Sequence, residues 1–552
     1  MTDPLRDRAE QTQLRSKLNS DNGNQRVPEY LQGSAFAARS VEPDHRGIDS
    51  HTASAERRSK LARSVRQPRH VHDYLCKNAK KPLRVMKFGG TSVGDASCIE
   101  KVVDIVRASV RESDVVVVVS AMSGVTNKLV EAATQSAAGN RHLIATIFGE
   151  LRERHQAAAE ALIHSPEKRQ HVLQKMLEIF EEGERLCQDA VLGHELTLPV
   201  RDRISGLGER LSAPLLAAAL MERGVVSQAI NASELVVTDS CHGAAEPYME
   251  LTRERCETRL RPLLRQGIVA VVTGFIGATV DGVPTTLGRN SSDYSGTILG
   301  AALDADEVIL WTDVNGILSA DPLLVPGARS ILEMSYREAS DLANSGAKVL
   351  YPKTLRPLIE RGIPLRIRNT FAPDRPGTQI TATGSSNGAG AKALTASSDV
   401  ALITIKGPSI LGAPDILPRT LANAAAVRAD VRQMRQVSSS ENELSIVVSS
   451  AFAEPTLEAL HREFAEDLAE ERIERVTLNP AVAVVTVVGD KMLSMEGLLH
   501  CVLGALGREN LNVLATAQGS RASSVSFVVA KSDMKAVLVT AHRELQLARV
   551  VV

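Results

Sequence analysis

The string Lys87-Phe-Gly-Gly-Thr-Ser92 closes an apolar stretch with a lysine and two glycines. Gly89 and Gly90 let backbone N–H groups approach a phosphate, and Lys87 supplies a point charge able to follow a transferring phosphoryl group. No Gly-Lys-Ser/Thr follows at P-loop spacing, and a glycine turn after a strand is also an ordinary structural device. In Thr285-Thr-Leu-Gly-Arg-Asn-Ser-Ser-Asp-Tyr294 small residues surround Arg289 and Asp293, ahead of an apolar segment. That pattern suits a helix N-terminus facing an anion. Arg289 could fork onto a carboxylate, and Asp293 could hold Mg²⁺ or orient a lysine; a helix cap with a surface arginine is the plainer alternative.

Two further clusters carry acids and a lysine. Trp311-Thr-Asp-Val-Asn-Gly-Ile-Leu-Ser-Ala-Asp-Pro322 sets Thr312, Asp313 and Asp321 in a polar turn, where the acids could meet a ribose or a metal-bound phosphate, or simply bond their own backbone. Lys348 lies in the small-residue run Asn344-Ser-Gly-Ala-Lys-Val-Leu-Tyr-Pro352, as a phosphate contact or an exposed helix lysine. Glu209, in Gly206-Leu-Gly-Glu-Arg-Leu-Ser212, opens an apolar helix; it complements the helix dipole or receives a substrate ammonium.

These groups must be brought together by the elements around them. Leu83–Phe88 and Val115–Ser120 read as buried strands, each ending in a small-residue turn, and a helix is expected from about Ala96 to Val110. Strand, glycine turn and helix in succession indicate an α/β sheet with ligands at the strand C-terminal ends. Residues 142–188 read as amphipathic helix, and 268–273, 307–312 and 364–368 as further strands. Residues 1–82, rich in Arg, Ser, Asn, Gln and Asp, are expected to be a disordered extension with a possible short helix at 55–65. The α/β region is bounded at 83–381. A Thr/Gly/Ser/Asn/Ala run starts a flexible linker, placed at 382–396. Beyond it Val400–Gly407 and Val482–Gly489 are alike, and each is followed by a helical stretch and a Ser-rich turn entering a strand. Two similar α+β units are therefore expected, at 397–478 and 479–552.

Composition narrows the function. The chain has 552 residues, 43% hydrophobic and 23% charged, enough for more than one core. A formal net charge of -1 and an aromatic content of 3% give no basis for nucleic-acid or anionic-membrane binding. Six scattered cysteines without a C-x-x-C pair fit neither a disulfide framework nor a zinc site. No apolar run approaches membrane-spanning length, and Asp3, Asp7 and Glu10 speak against an organelle transit peptide, so a cytoplasmic location is expected.

Taken in order, Lys-Phe-Gly-Gly-Thr-Ser, Gly-Glu-Arg-Leu-Ser, Thr-Leu-Gly-Arg-Asn-Ser-Ser-Asp-Tyr, Trp-Thr-Asp-Val-Asn-Gly and Gly-Ala-Lys-Val-Leu-Tyr-Pro resemble the aspartate kinase family from about Leu83 to Ile380. The repeated C-terminal units resemble its paired ACT domains. The resemblance implies an amino-acid-kinase fold, an open, mainly parallel sheet between helices, followed by two α+β ACT-like domains. It implies transfer of the ATP γ-phosphoryl group to the side-chain carboxylate of L-aspartate, with MgATP as substrate and no tightly bound cofactor. Carried over, Lys87 neutralises the transferring group with backbone N–H groups around Gly89 and Gly90, and Asp293 organises the centre. Glu209 receives the aspartate ammonium and Arg289 its α-carboxylate, with Thr126 and Ser292 helping to hold the substrate. Thr312, Asp313 and Lys348 contact the nucleotide, with Asp321 near its ribose and phosphates.

The sequence departs from the family's usual pattern at Ser291, where a glycine is usual, at Leu318, where an aromatic is frequent, and at Ser345 and Tyr351, where Phe and His are usual. An altered ATP affinity is the expected consequence. The chain ends soon after the second ACT-like unit, so a form without a fused homoserine dehydrogenase is expected. The resemblance further implies lysine or threonine feedback and a homodimer or dimer of dimers through the ACT-like units. The turn with Ser439, Ser440 and Glu441 keeps the family's Ser-Ser-Glu pattern, and the equivalent turn at 519–524 does not. Competing readings are another carboxylate kinase of the same superfamily and a catalytically silent amino-acid sensor. The joint presence of Lys87, Glu209, Arg289, Asp293 and Lys348 favours an active aspartate kinase.

Overall fold

Five consecutive valines, Val115–Val119, have one conformation that suits them all: a strand buried on both faces, where β-branched side chains pack against helices. In the computed structural model they belong to the strand Asp114–Val119. The structure describes residues 81–547 except 289–290, 348–349, 385–389, 409–414, 438–441, 491, 493–496 and 519–522. The expected extension, up to residue 80, and its helix at 55–65 lie outside the described residues.

The first eleven strands are β1 Leu83–Phe88, β2 Asp114–Val119, β3 Ser227–Ile230, β4 Val237–Thr238, β5 Val269–Thr273, β6 Ile276–Thr279, β7 Pro284–Thr286, β8 Glu307–Thr312, β9 Glu333–Ser335, β10 Leu365–Asn369 and β11 Thr378–Thr381. Eight of them form one sheet in the order β3-β5-β2-β1-β8-β10-β11-β9. Pairing is parallel from β3 through β10, and antiparallel only between β10 and β11. Strand alternation divides the interior in two: Met86, Phe88, Val117 and Val119 enter one core, Val85, Val116 and Val118 the other. Helices cover both faces, as the mainly parallel sheet requires. The long helical region expected at 142–188 is two helices, Arg141–Leu162 and Pro166–Gly193, because Pro166 starts a new helix at its first turn.

The C-terminal strands are β12 Gly390–Ser397, β13 Val400–Lys406, β14 Val431–Val437, β15 Glu443–Ser449, β16 Arg475–Asn479, β17 Val482–Asp490, β18 Val513–Gln518 and β19 Ser524–Ala530. They form two four-stranded sheets, β14-β15-β13-β16 and β12-β17-β19-β18. The repeated strings are the central strands β13 and β17. Val400 and Val447 of one sheet pack on Val482, Val484 and Val528 of the other.

The linker expected at 382–396 needs correction. Gly390–Ser397 is the edge strand β12, paired antiparallel to β17 with a bulge between Ala391 and Ala393. The second ACT-like unit is therefore discontinuous, taking its edge strand from ahead of the first. Small residues without apolar alternation hid this strand, whose order comes from a distant partner. Lys392 on β12 forms an ion pair at 2.9 Å with Glu338, which is fully buried in the helix Tyr336–Asn344.

Candidate active site

Parallel strands bring their C-terminal ends to one edge, and there Lys87, Ser120, Gly274 and Thr312 follow or end β1, β2, β5 and β8. Lys87 is buried, and its Nζ lies 2.5 Å from Asp293 Oδ1. Asp293 occupies the first turn of the helix Ser292–Ala302, which lies across β1. Close approach of helix and strand requires Gly296, because a Cβ there would stand 3.0 Å from Lys87 Cβ. Ser291, at the N-cap, is fully buried, makes no side-chain cap, and its hydroxyl has no partner among the described residues. The helix start that carries Asp293 against Lys87 thus has no side-chain cap, an arrangement suited to an anion.

The glycine turn modifies one expectation. The Gly89 N–H donates to Trp311 O at 3.0 Å, extending the β1–β8 ladder, so it is not free for a phosphate. The Gly90 and Thr91 N–H groups donate to no described residue and are the available ones. A Cβ on Gly90 would meet Ala121 O at 3.0 Å, which explains why the two small-residue turns can lie against each other. Trp311 also stacks on Phe88 at 5.9 Å between ring centroids, with the Arg368 guanidinium 4.8 Å from the Trp311 ring. Ser92 Oγ and Thr370 Oγ1 share a hydrogen bond at 2.7 Å, and Thr370 N donates to Thr312 O at 2.8 Å. The glycine turn and the end of β8 are thereby locked together.

Glu209 sits in the first turn of the helix Leu207–Glu222 and is 3% exposed. Burial pushes its carboxyl up to about 8; hydrogen bonding to the Ala121 backbone and the nearby Lys87 charge oppose that shift. Its Oε2 has no partner among the described residues. A buried acid with an unfilled oxygen, close enough to feel Lys87, is suited to take a cationic group from a ligand. Thr126 lies half-buried in the first turn of the helix Val125–Ala137, behind an N-cap Gly124 that makes no side-chain cap. Ser292 Oγ accepts a hydrogen bond from Ser120 Oγ at 2.8 Å, tying the helix start to the end of β2.

Thr312 Oγ1 donates to Asp313 Oδ1 at 3.1 Å, and Asp313 is exposed at the end of β8. Asp321 is engaged differently: its Oδ1 accepts from Leu323 N at 2.9 Å and its carbonyl from Val325 N at 2.8 Å. These bonds are those of a turn residue, on a segment whose Ala320 and Val325 pack into the core of the C-terminal ACT-like unit. Arg289, Lys348, Ser439, Ser440 and Glu441 lie outside the described residues. Leu318, where an aromatic was expected, forms an isolated bridge with Ser330.

One residue that positions the site was not singled out in the sequence. Asp202, 3% exposed, accepts from Thr286 N, Thr286 Oγ1 and Gly243 N, and lies 2.9 Å from His242 Nδ1. It anchors the end of β7 two residues before Gly288, whose φ of +103° admits glycine best, and three before Arg289. Its only sequence signal was an acid inside a short helical segment next to the Gly-Glu-Arg motif. Among the described residues no group of three or more His, Cys, Asp and Glu side chains could hold a metal ion, and no helix is long and apolar enough to cross a membrane.

The amino acid kinase family profile matches residues 82–369, and an ACT domain profile matches 485–545. The chain is 31% identical over 514 residues to bifunctional aspartokinase/homoserine dehydrogenase 1, chloroplastic, of Zea mays, spanning 88% of this chain and 55% of that protein. It is 30% identical over 471 residues to aspartokinase 1, chloroplastic, of Arabidopsis thaliana, spanning 83% of this chain and 79% of that one. The chain spans about half the length of the bifunctional relatives it matches. Its fold is similar to that of E. coli aspartokinase III solved with aspartate and ADP, with a TM-score of 0.68 at 27% identity, covering 84% of this chain and 100% of that one. The same enzyme in complex with lysine and aspartate gives 0.67, again at 27% identity, covering 84% and 99%. With the five motifs in order, the Lys87–Asp293 centre at the strand ends and this coverage, the chain belongs to the aspartokinase family of amino acid kinases.

Proposed function

We propose that the protein is an aspartate kinase, transferring the γ-phosphoryl group of MgATP to the side-chain carboxylate of L-aspartate to give 4-phospho-L-aspartate. The observation that carries this reading is the buried Lys87 Nζ, 2.5 Å from Asp293 at an uncapped helix N-terminus. A carboxylate attacking a phosphate brings two anions together, so neutralisation and in-line positioning supply most of the catalysis. Lys87, the free Gly90 and Thr91 N–H groups and the Ser292 helix terminus neutralise the transferring group, and Asp293 holds Lys87 in place. An ionised carboxylate has no proton to lose, so no general base is required.

Glu209 receives the substrate ammonium, which fills its unpartnered oxygen, and Arg289 takes the α-carboxylate. Thr126 and Ser292 border the substrate, while Thr312, Asp313 and Lys348 contact the nucleotide, with Asp321 near its ribose and phosphates. Mg²⁺ enters with ATP and no tightly bound cofactor takes part. The product feeds lysine, threonine and methionine biosynthesis. The ACT-like units mediate feedback by lysine or threonine, with Ser439, Ser440 and Glu441 in the effector turn, and join subunits into a homodimer or a dimer of dimers. A cytoplasmic location is supported by unpaired cysteines such as Cys187 and Cys256.

The test is a hydroxylamine trap of the acyl phosphate with MgATP and L-aspartate, with L-glutamate as control. Aspartate-dependent hydroxamate is expected; a folded, ATP-binding protein that makes none sinks the assignment.

A further inference from the structure

Arg154, half-buried on the helix Arg141–Leu162, directs its guanidinium at two main-chain carbonyls that are far apart in sequence. Its Nη2 donates to Gly94 O at 2.7 Å and its Nη1 to Ser123 O at 2.8 Å. Among the described residues no carboxylate lies within ion-pair distance of Arg154, and neither oxygen accepts a backbone hydrogen bond. A planar guanidinium holds its N–H groups in a rigid fork, so two oxygens bound to it are kept at a set separation.

The two carbonyls belong to the turns that frame the site. Gly94 closes the glycine turn after β1, where its N–H donates to Thr91 O at 3.3 Å, beside the available N–H groups of Gly90 and Thr91. Ser123 lies in the turn after β2, between Ala121, whose backbone bonds Glu209, and Thr126. A Cβ on Gly208 would stand 2.6 Å from Ala121 Cβ, so the helix that carries Glu209 rests directly on this second turn. The backbone bond from Ser123 N to Gly90 O at 3.1 Å also joins the turns. The Arg154 fork adds two further points of attachment, which a pivot about that bond would break.

We propose that Arg154 is a positioning residue for phosphoryl transfer, fixing the turn that holds the phosphoryl donor against the turn that holds the acceptor. The assignment rests on the aspartate kinase reading, in which Gly90 and Thr91 serve the γ-phosphoryl group while Thr126 and Glu209 hold aspartate. Arg154 acts through the two turns and not by contact with either substrate. Each substrate is bound mainly by its own turn, so loss of the fork leaves the two affinities nearly intact and spoils the in-line approach between them. A misplacement on the order of 1 Å between reacting groups costs about 100-fold in rate. The effect therefore falls on kcat and not on KM.

The experiment is initial-rate hydroxamate formation by the full chain, with aspartate and ATP varied in turn, for the wild type, Arg154→Met, Arg154→Lys and Lys128→Met. Lys128 pairs with Glu150 and so joins the helices Val125–Ala137 and Arg141–Leu162 without bonding either carbonyl. Arg154→Met is expected to lower kcat about 10- to 100-fold, with both KM values changed by less than about threefold. Arg154→Lys keeps the charge but lacks the planar fork, and its kcat is expected to fall between those of Arg154→Met and the wild type. Lys128→Met is expected to leave kcat unchanged. Thermal melts establish that each variant is folded, and if Arg154→Met is not, Arg154→Lys decides by the same split. An unchanged kcat, a loss carried mainly by either KM, or an equal fall in Lys128→Met overturns the assignment. A wild type that forms no aspartate hydroxamate removes the kinase reading instead, so the two failures are told apart.

Discussion

His542 Nε2 lies 2.9 Å from Ser319 Oγ, with both side chains buried, and this contact ties the helix Met534–Glu544 of the C-terminal ACT-like unit to the turn that follows β8. Ser319 Oγ also accepts from Arg329 N at 3.0 Å, and Ser319 O accepts from Leu394 N of β12 at 2.7 Å. One residue of the turn after β8 is thus bonded to the last helix and to the edge strand of the same ACT-like unit. Ser319→Ala removes the partner of a buried imidazole nitrogen and of a backbone N–H. It is expected to destabilise the chain by about 1–3 kcal/mol and to raise the KM for ATP more than it lowers kcat. Urea unfolding and initial rates measure both, and an unchanged stability would mean that the contact does not hold the turn.

Removal of Lys87 tests the centre itself. Lys87→Ala leaves Asp293 without its cation and the transferring group without its nearest charge. A fall in kcat on the order of 100- to 1000-fold is expected, with the thermal melt confirming a folded chain. A loss below about tenfold would assign neutralisation to other groups.

Glu209 sets a pH dependence. Its carboxyl, raised to about 8 by burial, is neutral in the free protein at lower pH and cannot attract an ammonium there. The kcat/KM for aspartate should therefore rise with pH up to about 8, since this parameter reports free-enzyme groups. Glu209→Gln should lower kcat/KM and flatten that rise; a wild-type profile level between pH 6 and about 8 would contradict the assignment. Stability runs the opposite way. The folded value exceeds the ordinary 4.5, so the stability from burying the neutral acid is complete below 4.5 and is lost as pH climbs through about 8.

His155 governs acid stability. Its Nδ1 lies 2.7 Å from Leu151 O, its Nε2 is buried without a partner among the described residues, and burial, aided by the Arg154 charge, lowers it from 6.5 to about 4. The unfolded chain binds this proton more readily, so the stability is complete above 6.5 and declines as pH falls toward about 4. The difference amounts to on the order of 3 kcal/mol. Chemical denaturation across that range should show the wild type losing stability more steeply than His155→Leu as pH falls; parallel curves would exclude His155 as the source.

Breaking the Lys392–Glu338 pair should be costly. Lys392→Met strands a carboxylate that is fully buried and already has an unpartnered Oε1. A loss of about 3–5 kcal/mol is expected, whereas the double change with Glu338→Leu should recover much of it. Failure of the double variant to recover stability would show that the capping box of Glu338 with Ser335, rather than the ion pair, carries the cost.

The sequence by itself determined the residue types of the centre and the elements that bear them. Apolar runs and β-branching placed β1, β2, β5 and β8 within a residue or so, because these strands are buried on both faces and must be largely apolar, and the alternation of Leu365 and Ile367 with Arg366 and Arg368 placed β10. The order of the motifs carried the family, and the repeat marked β13 and β17. Tertiary structure alone decided what these residues meet. Lys87 and Asp293 stand on a strand and a helix far apart in sequence, and only their packing through Gly296 makes them an ion pair. Gly89 reads like Gly90, yet its N–H is consumed by Trp311 O because β8 happens to be the neighbour of β1. Asp321 was indistinguishable from Asp313 as a string, and only the structure shows its Oδ1 bonded to Leu323 N. Asp202 and β12 carry little local signal, because a buried polar anchor and an edge strand of small residues are defined by partners that the chain supplies from elsewhere.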